Sequence, residues 1–127
     1  MTTHPQPNFI YKFLTSPPPW PLETSQPLMT PLDLKDGFMH ASTAAQAAPV
    51  LQRFYPTHEI MYLVKIPVKG AFKDNSRWDP ASNGELYLHL YGEIEVKAED
   101  GWTLHEVRRS EGQEWTKALE GLEWLGA

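Results

Sequence analysis

The sequence predicts a single α/β (α+β) domain with a bent or split mixed sheet and short helices on its outside. Three observations lead to this class. The chain of 127 residues has the length of one domain. Its composition, 41% hydrophobic and 21% charged, suits a protein that buries one core. Short runs with strand periodicity alternate with helix-capping and turn residues, so we expect residues 1–127 to fold as one unit.

The N-terminal part is predicted to hold a strand and then a long loop. Residues 8–14, "NFIYKFL", alternate well enough to place Phe9 and Tyr11 on one face of a strand. Residues 15–35 contain six prolines, which fix φ and remove backbone donors. We therefore expect an ordered or partly ordered loop there rather than a helix, with Trp20 attaching the loop to the body of the domain.

The next segment is predicted to be a short strand followed by helical residues. Residues 38–42, "FMHAS", form the strand. Thr43 is placed to cap a helix, with Gln46 as its reciprocal partner. Because proline fits poorly inside a long helix, we expect a short turn after Thr43 and a second helix from about Pro49 to Tyr55.

The second half of the chain is predicted to contain more strands than helices. The Asp100-Gly101 pair is typical of a hairpin turn. The predicted elements are a central strand at 59–66, a polar loop at 67–85, a strand at 86–92, a hairpin at 93–107 and a helix at about 113–124.

Two of these strands each have one apolar face and one polar, aromatic face. In residues 38–42 the apolar face carries Met39 and Ala41, and in residues 86–92 it carries leucines. The opposite faces carry histidine, hydroxyl and aromatic side chains. If these faces line one cleft, it contains Phe38, His40, Ser42, Tyr87, His89 and Tyr91.

His40 and His89 are therefore the candidate catalytic residues. Histidine exchanges protons near neutral pH, and acid and base groups paired in a partly dry pocket are a common means of proton transfer. The alternative is that each histidine only hydrogen-bonds a backbone carbonyl in a packed face. Ser42 has a similar alternative, since it could serve only as a helix cap.

Further side chains are expected to bind the substrate. Arg77 and Trp78 are predicted to close the mouth of the cleft, because arginine binds carboxylate or phosphate through two hydrogen bonds. A surface ion pair is the alternative role of Arg77. The residues predicted to bind substrate are Tyr11, Trp20, Phe38, Ser42, Thr43, Arg77, Trp78, Tyr87 and Tyr91.

Charge and composition argue against several classes of function. The net charge is −5, and lysines and arginines are scattered, whereas nucleic-acid binders usually carry a basic stripe. The apolar stretches are far shorter than the about 20 residues that span a bilayer. We therefore expect no nucleic-acid or membrane partner.

Without cysteines or the features of a signal peptide, the expected location is the cytoplasm. The oligomeric state is left open.

The motifs of metal and phosphate sites are missing from the sequence. It has no H-E-x-x-H or H-x-H spacing and no glycine-rich phosphate loop. We therefore expect neither a metal nor a cofactor. His4, His58 and His105 are predicted to be exposed.

Several strings resemble the domain-of-unknown-function (DUF) family 952. They are "IYKF", "LDLKDGFMHASTAAQ", an Arg-Trp pair and "LYLHLYGEI", against a family pattern of about I-Y-K, D-G-F-I-H-L-S-T-x-x-Q and P-H-L-Y-G. The resemblance covers residues 9–107. Met39, Ala41 and Leu88 depart from the pattern, and none of these changes removes a polar group.

The resemblance implies a fold of the ADP-ribosyltransferase-like superfamily. In that superfamily a strand with histidine, a small residue and serine or threonine lines the nicotinamide pocket, and His40-Ala41-Ser42 is similar to it. Such transferases also use a glutamate on a later strand. Glu85 is the candidate here, but it starts its strand, and fold kinship alone does not establish NAD chemistry.

The predicted function is a small-molecule enzyme in which His40 and His89 act as acid and base. Isomerisation, elimination or cyclisation suits such a site, since proton relocation needs no cofactor. The first alternative is an enzyme that binds NAD or transfers ADP-ribose. The second is a non-catalytic module that binds a small ligand in the same cleft.

Overall fold

Two three-stranded antiparallel sheets and a few short helices make up the chain in a computed structural model, which describes residues 7–126. The first sheet has the order β1–β3–β6, with β1 at Phe9–Leu14, β3 at Ile60–Pro67 and β6 at Thr103–Arg108. The second has the order β2–β5–β4, with β2 at Met39–His40, β4 at Ser76–Pro80 and β5 at Leu86–Leu90. The predicted α/β class and the split sheet are confirmed, and the strands at β1, β3 and β5 lie where the periodicity placed them.

Helices cover the outside of the sheets. They are α1 at Pro31–Asp36, α2 at Ala44–Phe54, α3 at Gly70–Asp74 and α4 at Trp115–Ala118, with 3-10 turns at Gln26–Leu28 and Ala98–Asp100. Within residues 7–126, none of them has the length and apolar character needed to cross a bilayer.

A backbone bridge between Tyr11 and Ser42 joins the two sheets. The amide of Tyr11 on β1 donates to the carbonyl of Ser42 at 2.7 Å, and the amide of Ser42 donates back at 2.9 Å. Because Ser42 lies two residues after the end of β2, this bridge holds that end of the second sheet beside the first.

The core consists of two clusters on opposite sides of the first sheet. Ile10 and Leu14 of β1 contribute to one cluster, together with the leucine face of β5. Tyr11 contributes to the other, with Leu51 of α2 and Trp115 of α4. This separation follows from the two-residue period of a strand, which sends neighbouring side chains to opposite faces.

The proline-rich segment contains a helix that the sequence prediction missed. Thr30 caps α1 by accepting from the Asp33 amide, and the Asp33 carboxylate accepts from the Thr30 amide, which makes a capping box. Pro31 occupies the first turn, where its missing donor costs nothing. Gly37 ends the helix with φ of 84°. The predicted loop at 15–35 is therefore wrong in its last part.

Helix α2 also differs from the prediction, because it runs without a break through Pro49. The predicted capping box of Thr43 and Gln46 is present. The buried face of the helix, which includes Ala47 and Leu51, packs into the second cluster. Packing of this face holds the residues after Pro49 in the same helix, despite the hydrogen bond that proline cannot make.

Three predictions for the second half are corrected. The predicted loop at 67–85 contains α3 and strand β4, so Arg77 and Trp78 lie on a strand. The predicted hairpin at 93–107 does not form: residues 94 and 96 bond to the 23–25 segment, while β6 pairs with β3. The predicted helix at 113–124 is limited to the four residues of α4.

Replacing Pro49 by alanine tests the continuous helix. Pro49→Ala restores a backbone donor in the helix interior, so we expect the free energy of unfolding to rise by about 1–3 kcal/mol. Pro19→Ala is the matched control in an exposed loop, where losing proline should lower stability by about 0.4–1 kcal/mol. Urea denaturation measures both. Equal and small effects of the two changes would contradict a helix that continues through residue 49.

Candidate functional site

His40 and His89 lie side by side on neighbouring strands of the second sheet. They are directly opposite each other in the pairing of β2 with β5, so their side chains share one face. Their ring centroids are 4.9 Å apart at an angle of 70°. The juxtaposition expected from the strand periodicity is therefore present.

A cavity of about 490 Å³ opens beside the two histidines. Its lining comes from strands β1, β2 and β5, from helices α1 and α2 and from the 81–83 loop, and it combines polar and apolar side chains. The lining residues are Lys12, Thr30, Leu32, Asp33, His40, Ala41, Ser42, Val50, Arg53, Phe54, Tyr55, Ala81, Ser82, Asn83, Tyr87 and His89. The volume and the mixed lining fit a small organic ligand.

A buried carboxylate organises the polar part of the cavity. Asp33 forms an ion pair with Lys12, and the two side chains are only 1% and 5% exposed. The other carboxylate oxygen accepts from His40 Nδ1 at 2.6 Å and from the His40 amide at 3.1 Å. The Thr30 amide donates to Asp33 at 2.9 Å. All the acceptor positions of this carboxylate are thus occupied.

These contacts shift the pKa values of the buried pair. Burial opposes the charge on Asp33, but the His40 hydrogen bond and the Lys12 charge outweigh it and hold the pKa of Asp33 well below its ordinary value. Burial lowers the pKa of Lys12, and Asp33 works against that shift. Asp33 is therefore ionised at neutral pH.

The ring of His40 lies between two carboxylates. Nδ1 contacts Asp33, and Nε2 lies 3.0 Å from an oxygen of Asp36, one turn along the chain on α1. A ring nitrogen beside an ionised carboxylate must donate a hydrogen. Each ring nitrogen of His40 therefore has a carboxylate oxygen within hydrogen-bond distance.

His89 has the opposite surroundings. Burial, followed by the nearby His40, lowers its pKa, although Asp79 and Asp33 favour the charged form. Nδ1 lies 2.9 Å from Asp79 on β4, so it carries the hydrogen when the ring is neutral. Within residues 7–126, Nε2 has no hydrogen-bond partner. His89 therefore presents an unprotonated nitrogen, which suits a base.

Three of the predicted substrate-binding residues lie near the histidines. Ser42 and Tyr87 line the cavity. Phe38 stacks on the ring of His89 at 4.3 Å but is not part of the lining. Thr43 caps α2 and is not part of the lining either.

Tyr11 and Trp20 do not reach the cavity. Tyr11 is fully buried on the face of β1 opposite Lys12, and its hydroxyl donates to the Gly126 carbonyl at 2.5 Å. Strand alternation explains this placement, since residues 11 and 12 face opposite sides. Trp20 is 41% exposed, so it does not attach the proline-rich loop to the core as predicted.

Arg77, Trp78 and Tyr91 do not line the cavity, so Arg77 and Trp78 do not close its mouth and Tyr91 is not placed to bind a ligand there. Arg77 lies over the ring of Tyr91 at 4.4 Å, and the Tyr91 hydroxyl donates to Asp79. Trp78 is opposite Leu88 and packs against the first core cluster. The pairing of β4 with β5 fixes the directions of the Arg77 and Trp78 side chains. The loop that was predicted for residues 67–85 would not have fixed them.

The three histidines outside the site, His4, His58 and His105, were predicted to be exposed. His58 is exposed, whereas His105 is half-buried and stacks on Trp124 at 4.9 Å between ring centroids. His4 lies outside the described residues. In the described part of the chain, no group of three or more acidic or histidine side chains is placed to hold a metal ion.

Several lining residues were missed by the sequence prediction, chiefly Lys12, Asp33, Arg53 and Phe54. The pattern Thr30-Pro31-x-Asp33 was a usable signal for a capped helix. For Lys12, the signal was a lysine inside an apolar strand, which implies a buried partner.

Removing the Asp33 carboxylate should destabilise the fold in a pH-dependent way. Asp33→Asn leaves Lys12 buried without its counter-charge, so we expect a loss of about 3 kcal/mol or more at pH 7. Because the folded pKa of Asp33 lies below the unfolded value of about 3.9, the unfolded chain takes up the proton first. The difference between wild type and variant should be complete above about pH 5 and shrink below about pH 4.

Urea denaturation at several pH values measures this difference. Asp74→Asn, at an exposed position on α3, is the matched control and should change stability by less than about 0.5 kcal/mol. A pH-independent loss for Asp33→Asn would contradict the role of the ionised carboxylate.

Comparisons with known proteins bear on the fold. The crystal structure of protein CC0527 from Caulobacter crescentus is similar with a TM-score of 0.59 and 18% identity, over 80% of this chain and 88% of that one. A double mutant of CC0527 gives a TM-score of 0.58 and 19% identity over the same shares. At these identities the likeness shows a shared fold. No curated protein matches the chain.

The sequence profile of one protein family covers both histidine strands. It is described as "Protein of unknown function (DUF952)" and matches residues 16–99. This range includes α1 with Asp33, β2 with His40 and β5 with His89. Because the match extends over more than half of the sequence, the chain belongs to the DUF952 family.

Proposed function

We propose that the protein is a small-molecule enzyme in which His89 acts as general base and His40 as general acid. One observation carries the proposal: two histidine rings 4.9 Å apart border one cavity, and each is held by its own aspartate through Nδ1. An aspartate at Nδ1 fixes the ring orientation and the position of the hydrogen, as in other acid–base sites.

The roles follow from the unequal surroundings of the two rings. His89 is the base, because its lowered pKa keeps it neutral near pH 7 and its Nε2 has no partner within residues 7–126. His40 is the acid, because two carboxylates border its ring. A substrate oxygen that replaces Asp36 at Nε2 would receive the His40 proton.

The reaction class that suits this pair is proton relocation within a substrate. His89 removes a proton at one atom, His40 delivers one at another, and the two rings exchange their charge states. Isomerisation, elimination and cyclisation all have this balance, and none needs a metal or cofactor. A lysine-neutralised Asp33 would keep His40 oriented through the cycle.

The absence of cysteine is compatible with a cytoplasmic location, which we also propose.

Deuterium incorporation tests the proposal whichever compound is the substrate. The protein is incubated with a metabolite extract in D₂O, and mass spectrometry detects deuterium at positions that do not exchange spontaneously. We expect wild type to label a compound or its product. His40→Gln and His89→Gln should each slow labelling by about 10²–10⁴-fold, the usual contribution of an acid or base.

His105→Gln on β6 is the control and should label at the wild-type rate. Unchanged labelling in both site variants would refute the acid–base pair. A compound that wild type retains without any labelling would instead favour the non-catalytic binding module.

The titration of His89 provides a second prediction. The ring pKa should lie below the ordinary value of 6.5, with burial as the main cause. Replacing His40 by glutamine removes a neighbouring positive charge, so the pKa of His89 should rise. Asp79→Asn removes a carboxylate that favours imidazolium, so the pKa should fall further. NMR titration of the ring protons measures both shifts.

Independent titration of the two histidines would contradict this coupling. In that case the His89 pKa would be the same in wild type and in His40→Gln, and the two rings would not share a low-dielectric site.

A second candidate is an enzyme that binds NAD or ADP-ribose, within the proposed kinship to the ADP-ribosyltransferase-like superfamily. The observation in its favour is that His40, Ala41 and Ser42 all line the cavity. Against it, Glu85 accepts from Gln46 at 3.1 Å and is not part of the lining. Calorimetry with NAD and ADP-ribose separates this candidate from the first, since heat at micromolar ligand would support it.

A further inference from the structure

Arg53 is a positive charge at the cavity that the acid–base proposal does not use. It lies in the last turn of α2 and lines the cavity. Its guanidinium carbon is 5.1 Å from the centre of the Phe54 ring. Among residues 7–126, no carboxylate lies within ion-pair distance of Arg53.

The other charges at the cavity are balanced. Lys12 is paired with Asp33, and His40 is placed between Asp33 and Asp36. Asp79 faces the ring of His89. Within residues 7–126, the cavity therefore has one positive group without a protein partner, in a chain whose net charge is −5. Arg53 is exposed, so its guanidinium is accessible to an anion that enters the cavity from outside.

An apolar wall lies next to Arg53. Val50, Arg53 and Phe54 lie on one face of α2, at the spacing of one helical turn. Leu32 of α1 lies on the same cavity. Four large hydrophobic side chains are exposed in the described part of the chain, and two of them, Leu32 at 51% and Phe54 at 58%, line this cavity.

These features have a common explanation if the ligand covers them. Exposed leucine and phenylalanine beside a cavity lose contact with water when an apolar body enters. The guanidinium of Arg53 offers a planar pair of donors that matches a carboxylate. A phosphate group would usually meet several cations or a row of backbone amides, and the described part of the cavity offers a single unpaired arginine.

We propose that the substrate is an amphipathic carboxylate, with its carboxylate on Arg53 and its apolar body against Leu32 and Phe54. This inference rests on the proposed function, because it takes the same cavity as the substrate site.

Calorimetry with three matched probes tests the inference at pH 7.5. Phenylbutyrate, phenylbutyramide and phenylbutylamine share one apolar body and differ in the charge at its end. Wild type should bind the carboxylate about tenfold or more tighter than the amide, the usual gain from a charge-assisted hydrogen bond. The amine should bind more weakly than the amide, because its charge repels that of Arg53.

Three variants assign the effect to residues. Arg53→Gln should remove the preference for the carboxylate while the amide binds as before. Phe54→Ala should weaken all three probes by a similar factor. Arg108→Gln, an exposed arginine on β6 paired with Glu106, is the control and should keep the wild-type ranking.

The inference is overturned by any of three results. These are equal binding of the probes to wild type, a carboxylate preference that survives in Arg53→Gln, and no binding of any probe to wild type at millimolar concentration. These readings involve no turnover. A failure of the deuterium experiment would refute the acid–base pair and leave the ranking of the probes intact, so the two proposals fail separately.

Discussion

Asp33 holds its carboxylate away from water where β1, α1 and β2 meet. Its carboxylate completes the capping box of α1 by accepting from the Thr30 amide, and it also neutralises Lys12 of β1 and orients His40 of β2. Removing two charges from water costs several kcal/mol for each ion, so such a pair is a weak source of stability. Its effect here is to fix three elements in one arrangement, and the cavity has its shape because they are fixed.

Strand alternation predicted which face of each strand carries His40 and His89, and that the two would share a cleft if those faces meet. Alternation is a local property, so it identified Met39, Leu88 and Leu90 as core residues and the histidines as their opposite faces. The same reasoning placed the capping box at Thr43. The position of His40 directly beside His89 needs the register between β2 and β5, which depends on contacts far apart in the sequence.

The parts that the sequence did not predict involve competing local and distant effects. Prolines suggested a loop before Gly37 and a break at Pro49, yet Pro31 fits the first turn of α1 and the buried face of α2 outweighs the lost hydrogen bond. Lys12 can be buried because it pairs with Asp33. That partner is 21 residues away in the chain, so no local pattern indicates it. Arg53 and Phe54 become cavity residues only through the packing of α2, so no local pattern could identify them.

The two histidines are oriented by carboxylates that differ in burial. His40 is oriented by a carboxylate sealed inside the domain, whereas His89 is oriented by Asp79, which is partly exposed on β4 at the edge of its sheet. Local opening needs the least free energy where few buried contacts hold a segment, and none of the five residues of β4 is buried. A local opening of β4 would release His89 from Asp79 while His40 keeps its orientation, and the protein would then pass through folded states that have a cavity but only one oriented histidine.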